Sequence, residues 1–356
     1  MKTGKTLQEL AIEIERQNEV KKDYIASTAD MEMTVTRYED KDGGHAVPLL
    51  GLTGMNPFTL NGIAHDQIGT KLGIPSKYYD RMLDETPELL ADNVNTWLHK
   101  QPSKRMVRTL DGTARAFLSD KYRRIDNHEI ATAVLPMIAE MKGATVESCE
   151  ITERRMYLKV LNPRVQSEIV TGDVVQSGIL ISNSETGHGS VSVMPLVYRL
   201  VCKNGMIAAD HGQRKFHSGR TNETDDSYEV FRTETIQADD KAFIMKLQDI
   251  VRATANTIQF ERIVTAMKTG TAAKITGNVP EVVELASKSY GFLEKESQGI
   301  LDHLIKGGDL TLYGLANAVT RHAQDVESYD RSTELEMTAY SMLTMPRHEW
   351  TMLNAA

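Results

Sequence analysis

Apolar residues recur at helical spacing at Leu7, Leu10, Ala11 and Ile14 and predict an opening helix over Thr6 to about Ser27. Thr6 followed by Glu9 has the form of a capping box, in which each side chain satisfies the other's orphan backbone N–H. Met31-Glu32-Met33-Thr34-Val35-Thr36 alternates with period two, as a half-buried strand does, and Asp42-Gly43-Gly44 marks a turn at a first boundary. Ile63 to Leu72 and Lys77 to Leu83 read as short helices separated by Gly73-Ile74-Pro75, and Glu88 to His99 as a third. The runs 106–110 and 113–118 flank Asp111-Gly112, the dipeptide of a tight hairpin. A helix over Ile130 to Met141 follows, then strand-like runs at 145–152, 155–161, 176–182 and 190–202, the last two joined by a Ser184 to Ser190 loop.

Beyond residue 220 the pattern turns helical. Residues 221–240 form an acidic linker with seven carboxylates against one Arg. Ala242 to Met267 then carries apolar residues at helical spacing, and 280–290, 296–305 and 310–325 continue it, punctuated by Gly270, Gly277 and Gly307-Gly308. The patterns predict an α+β protein, with a mixed antiparallel sheet core, flanking helices and a helical C-terminal region. The expected divisions are 1–45 (helix and strand), 46–220 (α+β core), 221–240 (linker) and 241–356 (helical region).

Composition narrows the class. With 40% hydrophobic and 25% charged residues, the 356-residue chain is globular rather than disordered. Cys149 and Cys202 form neither a CxxC pair nor a disulfide framework, which fits a reducing compartment. The start, Met1-Lys2-Thr3-Gly4-Lys5, has no apolar signal core and no apolar run reaches membrane-spanning length, so a cytoplasmic protein with no membrane partner is expected. A net charge of -8 disfavours polyanion binding by the whole surface and turns attention to local charge.

Local charge is uneven. Lys100, Lys104, Arg105, Arg108, Arg115, Lys121, Arg123 and Arg124 are opposed within their own stretch only by Asp111 and Asp120. Arg199, Lys203, Arg214, Lys215 and Arg220 form a second cluster beside His211 and His217. Fixed cations neutralise phosphates, and aromatics such as Tyr122 and Phe216 stack on bases, which together make a single-strand groove. The competing reading is of solvated faces whose cations snorkel over apolar surface.

Other motifs carry less. Gln67 to Arg81 resembles a helix-turn-helix, with Lys77, Tyr78, Tyr79 and Arg81 on the second helix, but a plain helical corner has the same turn chemistry. Gly4-Lys5-Thr6 lacks the earlier Gly and the strand of a P-loop. Cys202, His188, His211 and His217 match no usual zinc spacing, and Asp210-His211 with Ser218 lacks a nucleophile elbow. Asp126 and Glu129 could pair for acid–base work or hold Mg²⁺, but Asp126-Asn127 better fits a helix cap. No catalytic residue, metal site or cofactor is therefore expected.

Several segments carry a family resemblance. They are Arg108 to Gly112, Ala116 to Asn127, Ser182 to Gly187, Tyr198 to Met206 and Leu315 to Thr320. Together they resemble the phage- and plasmid-associated proteins of domain-of-unknown-function family 932, over about 50 to 325. The resemblance implies no activity; it implies a setting in bacterial mobile elements, where single-strand annealing proteins of the Rad-fifty-two-like kind act as oligomers without nucleotide. By that analogy and the charge pattern, the expected function is single-stranded DNA (or RNA) binding and annealing by a homo-oligomer, with phage or host recombination partners. Lys104, Arg105, Arg108, Arg115, Lys121, Arg123 and Arg124 would hold the backbone, Arg199, Lys203, Arg214, Lys215 and Arg220 would form a second rim, and Tyr122 and Phe216 would stack. A duplex-reading regulator and a non-enzymatic anti-defence interaction protein are the alternatives.

Overall fold

Thr6 Oγ1 accepts the Glu9 N–H at 3.2 Å and Glu9 Oε2 accepts the Thr6 N–H at 2.8 Å, so the capping box opens α1 (Leu7–Val20) as expected. The computed structural model describes residues 1–39, 45–209, 213–215, 233–252 and 257–355, except the side chains of 213–215, 233–237, 252, 257 and 258. The Asp42-Gly43-Gly44 turn and residues 221–232 of the expected linker lie outside the described residues. The helix expected to reach Ser27 ends at Val20, because Lys22–Ser27 is a strand, β1. Tyr24 and Ile25 suit a pleated surface, and pairing with a distant strand overrides the local helical pattern.

β1 belongs to a six-stranded sheet with β2 (Met31–Tyr38), β3 (His45–Leu52), β4 (Phe58–Leu60), β5 (Lys104–Leu110) and β6 (Thr113–Ser119), in the order β1-β5-β6-β4-β3-β2. Its neighbours are antiparallel except the short parallel contact of β4 with β6. The helices α2 (Gly62–Leu72), α3 (Ser76–Glu85) and α4 (Pro87–Lys100) cover one face, where Met33, Leu50 and Phe117 meet Ile68, Leu90 and Val94. The β5–β6 hairpin turns through Asp111 (φ 52°) and Gly112 (φ 79°), the two left-handed residues that a type I′ turn requires.

The hairpin also carries a bulge. Arg108 pairs with Ala116 but Thr109 pairs with Ala114, which leaves Arg115 as the extra residue. Ala114 and Phe117 therefore both join the core under the helices, while Ala116 and Leu118 face the other way with Met106. The bulge thus releases Arg115 from strict alternation.

The second sheet contains β7 (Thr145–Ile151), β8 (Met156–Glu168), β9 (Val174–Asn183), β10 (Val191–Arg199), β11 (Asn204–Ile207) and β12 (Gln213–Lys215). The order is β11-β10-β9-β8-β7, with β12 added to β10, and every pairing is antiparallel. α1, α5 (Asn127–Glu140) and α6 (Thr233–Arg252) pack on the face that presents Leu158, Val160, Ile179 and Ile181. The remaining helices are α7 (Thr257–Ala272), α8 (Val279–Tyr290), α9 (Glu294–Gly307), α10 (Leu312–His322), α11 (Tyr329–Leu343) and α12 (Arg347–Leu353). Tyr329 of α11 joins Tyr157, Leu180 and Leu196 on the opposite face, while Val197 and Met206 reach the core among α7, α9 and α10. Burial on both faces explains why 156–162 of β8 and 177–183 of β9 are continuously buried rather than alternating.

The chain is α+β with a helical C-terminal region, as its patterns imply. The strands expected within one core over 46–220 divide into two sheets, and the N-terminal strands join the first. Residues 233–240 of the expected linker are the first turns of α6.

A charge pair fastens α11 to the second sheet. Lys159 Nζ lies 2.5 Å from Glu336 Oε2 with both side chains fully buried, and 4.8 Å from the Tyr329 ring centroid. A buried pair offsets its desolvation only while both partners are present. Lys159→Met alone should therefore cost roughly 3–5 kcal/mol in urea unfolding, whereas Lys159→Met with Glu336→Leu should recover most of that loss. A double variant as unstable as the single one would contradict this account.

Candidate nucleic-acid interface

Arg108, expected to face solvent, is fully buried where the two sheets meet. Asp23 lies opposite it in the β1–β5 register. Arg108 Nε and Nη2 donate to the two Asp23 carboxylate oxygens at 2.8 and 3.2 Å. Nη2 also donates to Asp126 Oδ1 at 2.7 Å, and Nη1 to the Glu185 carbonyl at 3.0 Å. Arg115, released by the bulge, donates from Nη2 to Glu185 Oε2 at 2.6 Å. Lys21 Nζ completes the node 2.8 Å from Asp126 Oδ2.

The same node caps α5. Asp126 occupies the N-cap position, but its carboxylate is engaged by Arg108 and Lys21 and makes no capping bond. Glu185 substitutes for it, accepting the Asn127 N–H at 2.6 Å. Asn183 Nδ2 donates to the Ile125 carbonyl and to Asn127 Oδ1, each at 2.9 Å. Carboxylates near the start of α5 also lie at the positive end of its dipole. Burial alone would push the Asp126 carboxyl up, but Arg108 and Lys21 outweigh it and hold it below the usual carboxylate range.

This geometry corrects several expected roles. Arg108 and Arg115 are buried and paired, so neither can reach a phosphate. Arg123 is held by Asp239 at 2.9 Å and Asp240 at 2.7 Å, both from α6. Arg124 is half-exposed, with Asp23 at 3.4 Å. Tyr122 packs against Met106, Ala116 and Leu118, and its hydroxyl donates to the Ser184 carbonyl at 3.0 Å, so its ring is a core element rather than a stacking platform. The carboxylates responsible were missed because Asp23, Glu185, Asp239 and Asp240 lie far from residues 100–124 in the chain. Glu185 carried a signal as part of the Ser182 to Gly187 segment, and Asp239 and Asp240 as part of the acidic 221–240 stretch.

The second cluster is not one rim. Arg199 is paired with Asp173 at 2.6 Å and lies 5.6 Å from the Tyr313 ring centroid. Lys203 is exposed, in a left-handed conformation (φ 51°). Arg214 pairs with Ser192 near the opposite end of β10, roughly 23 Å from Arg199 at strand rise. Lys215 neighbours Arg214 on β12. Phe216 and Arg220, with Asp210, His211, His217 and Ser218, lie outside the described residues. The two clusters therefore occupy different sheets rather than neighbouring strands of one.

The Gln67 to Arg81 corner is present as α2, a left-handed Gly73 (φ 70°) and α3. Tyr79 is buried there, and its hydroxyl lies 2.9 Å from His65 Nδ1, so it belongs to the core. Lys77, Tyr78 and Arg81 are exposed, with Arg81 paired to Glu85 at 2.9 Å. Asp126 is not free to share a cation with Glu129, because both its oxygens already bind Arg108 and Lys21.

Four cations of the 100–124 run have no carboxylate partner among the described residues. Lys104 and Arg105 begin β5, and Arg105 pairs with Ser119 at the end of β6, two residues before Lys121. The three thus share the open end of the hairpin. Lys100 ends α4, with Nζ 4.6 Å from the ring centroid of Trp97, which is 42% exposed. This end combines cations with an accessible aromatic, the two ingredients of a single-strand contact. Trp97 was not among the expected stacking residues; its helical spacing resembles that of a core position.

A family model described as Domain of unknown function (DUF932) matches residues 116–344, from within β6 through α11. The match includes Asp126, Glu185 and Lys121 but not Asp23, Arg108, Lys104 or Arg105. No curated protein and no solved structure matches the chain.

The lowered Asp126 carboxyl sets an acid limit on stability. Its ion pairs contribute fully above its ordinary value of 3.8, and the contribution is lost as pH falls below that value toward the lower folded one. Urea midpoints of the wild type should drop over this interval, and those of Asp126→Asn should start lower and vary less. Equal acid sensitivity in both would refute the assignment.

Proposed function

The chain belongs to DUF932, a domain of unknown function, and on that premise we propose that it binds single-stranded nucleic acid, DNA foremost, without reading its sequence. The observation that carries this reading is the sharing of one hairpin end by Lys104, Arg105 and Lys121, with Lys100 and its exposed Trp97 partner at the end of the helix that leads into Lys104. Unpaired cations give up little when they meet phosphate, whereas the paired Arg108, Arg115 and Arg123 would have to break existing contacts. An exposed indole accepts any base, so binding is sequence-tolerant.

Four cations on one chain make a small footprint, which favours an oligomer that repeats it along the strand. β1 ends the first sheet with β5 as its one neighbour among the described residues, and its Ile25 is 54% exposed. Such an edge is a route to pairing with another copy. Holding bases open on repeated sites is the physical requirement for annealing, and neither nucleotide nor metal is needed for it. The reading places the protein in the cytoplasm of a bacterial cell, in a mobile-element setting with recombination partners. Among the described residues no helix is long and apolar enough to cross a membrane.

The test is fluorescence anisotropy with labelled single-stranded DNA, duplex DNA and RNA at two salt concentrations, alongside mass photometry. Single strands should bind preferentially, with a log–log salt slope of about -3 per chain for four phosphate contacts. Lys104→Glu with Arg105→Glu and Lys121→Glu should flatten that slope, and Trp97→Ala should weaken binding by about 1–3 kcal/mol. Absence of single-strand binding at roughly 50 mM salt would overturn the reading and favour a protein-interaction role.

A further inference from the structure

We propose that His303, His322 and Asp325 form a binding site for a divalent first-row transition-metal ion of the zinc class, independent of the hairpin cations. The site is built where the C-terminal end of α10 packs on the middle of α9. Gly308 caps α9 in the left-handed region (φ 69°), and α10 returns along it. Gly299 and His303 are four residues apart and share one face of α9. His322, the last residue of α10, lays its ring on Gly299, where even a Cβ would come within 2.4 Å of Nδ1. The bare backbone therefore lets this imidazole settle beside His303, with ring centroids 6.1 Å apart.

The chain then turns, with the Asp325 N–H donating to the His322 carbonyl at 2.8 Å. Asp325 Oδ2 comes to 2.7 Å from His303 Nε2, while Arg321 donates to Oδ1 at 3.0 Å. One ligand atom from each of His303, His322 and Asp325 can be chosen so that all three lie within 4.8 Å of one another. A tetrahedral zinc site has bonds near 2.0–2.2 Å, so its ligand atoms stand about 3.4 Å apart, within reach of side-chain rotation here.

The donor chemistry selects the ion. Two imidazoles with one carboxylate suit zinc and its neighbours, whereas Mg²⁺ and Ca²⁺ prefer oxygen shells. The His322 ring has no hydrogen-bond partner among the described residues and is half-buried without an occupation. Burial lowers its pKa and favours the neutral imidazole, the form with a lone pair for a metal. The Arg321 contact holds the Asp325 carboxylate in the manner of an outer-shell residue. Nearby Glu296 is already engaged, accepting from Arg331 at 2.7 and 2.8 Å, and supplies no ligand.

The experiment uses the full chain, stripped by chelator and titrated with Zn²⁺ by calorimetry and with Co²⁺ by visible absorption. The expected result is one equivalent bound, Co²⁺ bands of a four- or five-coordinate ion, and a Tm that rises with free Zn²⁺. His303→Ala and Asp325→Asn should each weaken binding by roughly tenfold or more and abolish the Tm rise. Gly299→Ala should act in the same direction by displacing His322. A folded wild type that gives no Zn²⁺-dependent heat and only six-coordinate Co²⁺ would overturn the site. So would binding that survives both ligand substitutions. Should a variant fail to fold by circular dichroism, the wild-type Co²⁺ spectrum decides the question alone.

Discussion

Burying the Arg108 guanidinium is the constraint on which the arrangement of the two sheets depends. A cation without solvent must be surrounded by fixed acceptors, because an unpaired buried charge costs several kcal/mol. Asp23 from β1, Asp126 before α5 and the Glu185 backbone supply them, so the node joins the first sheet to the second. Glu185 then serves two further ends at once, receiving Arg115 and capping α5. Displacing any one of these segments would strand charges on the others.

The node explains why a strongly basic stretch need not make a basic surface. Local charge along the chain counts neighbours in sequence, whereas electrostatic energy depends on neighbours in space. Arg123 finds its carboxylates on α6, more than a hundred residues later, and Arg199 finds its own across the sheet on Asp173. What these pairings leave over is a smaller group at one end of a hairpin, and that remainder carries the functional reading.

The second sheet poses a different problem, because helices bury it on both faces. Residues 156–162 of β8 and 177–183 of β9 are therefore continuously buried, and Lys159 is tolerated only because Glu336 of α11 meets it directly. The helical region is fastened to the sheet through such contacts and through the aliphatic core around Tyr313 and Leu315. The α9–α10 pair lies within this region, and its histidines owe their proximity to helix packing.

Local physics made much of the architecture legible in the sequence. The Thr6–Glu9 box, the Asp111-Gly112 turn, the Gly73 corner and the periodicity of α2 to α5 and of α8 to α10 are short-range devices, and each sits where its pattern implies. Residues 22–27 have a local helical pattern but form β1, because their partner strand β5 lies more than seventy residues away, and the division of the strands into two sheets rests on equally distant pairings. The candidate site was less legible still. The sequence by itself determined that cations cluster between Lys100 and Arg124; only the tertiary structure decided which of them are neutralised, since each partner carboxylate arrives from a separate element. Helix caps and turns close over a few residues, but charge compensation acts through space.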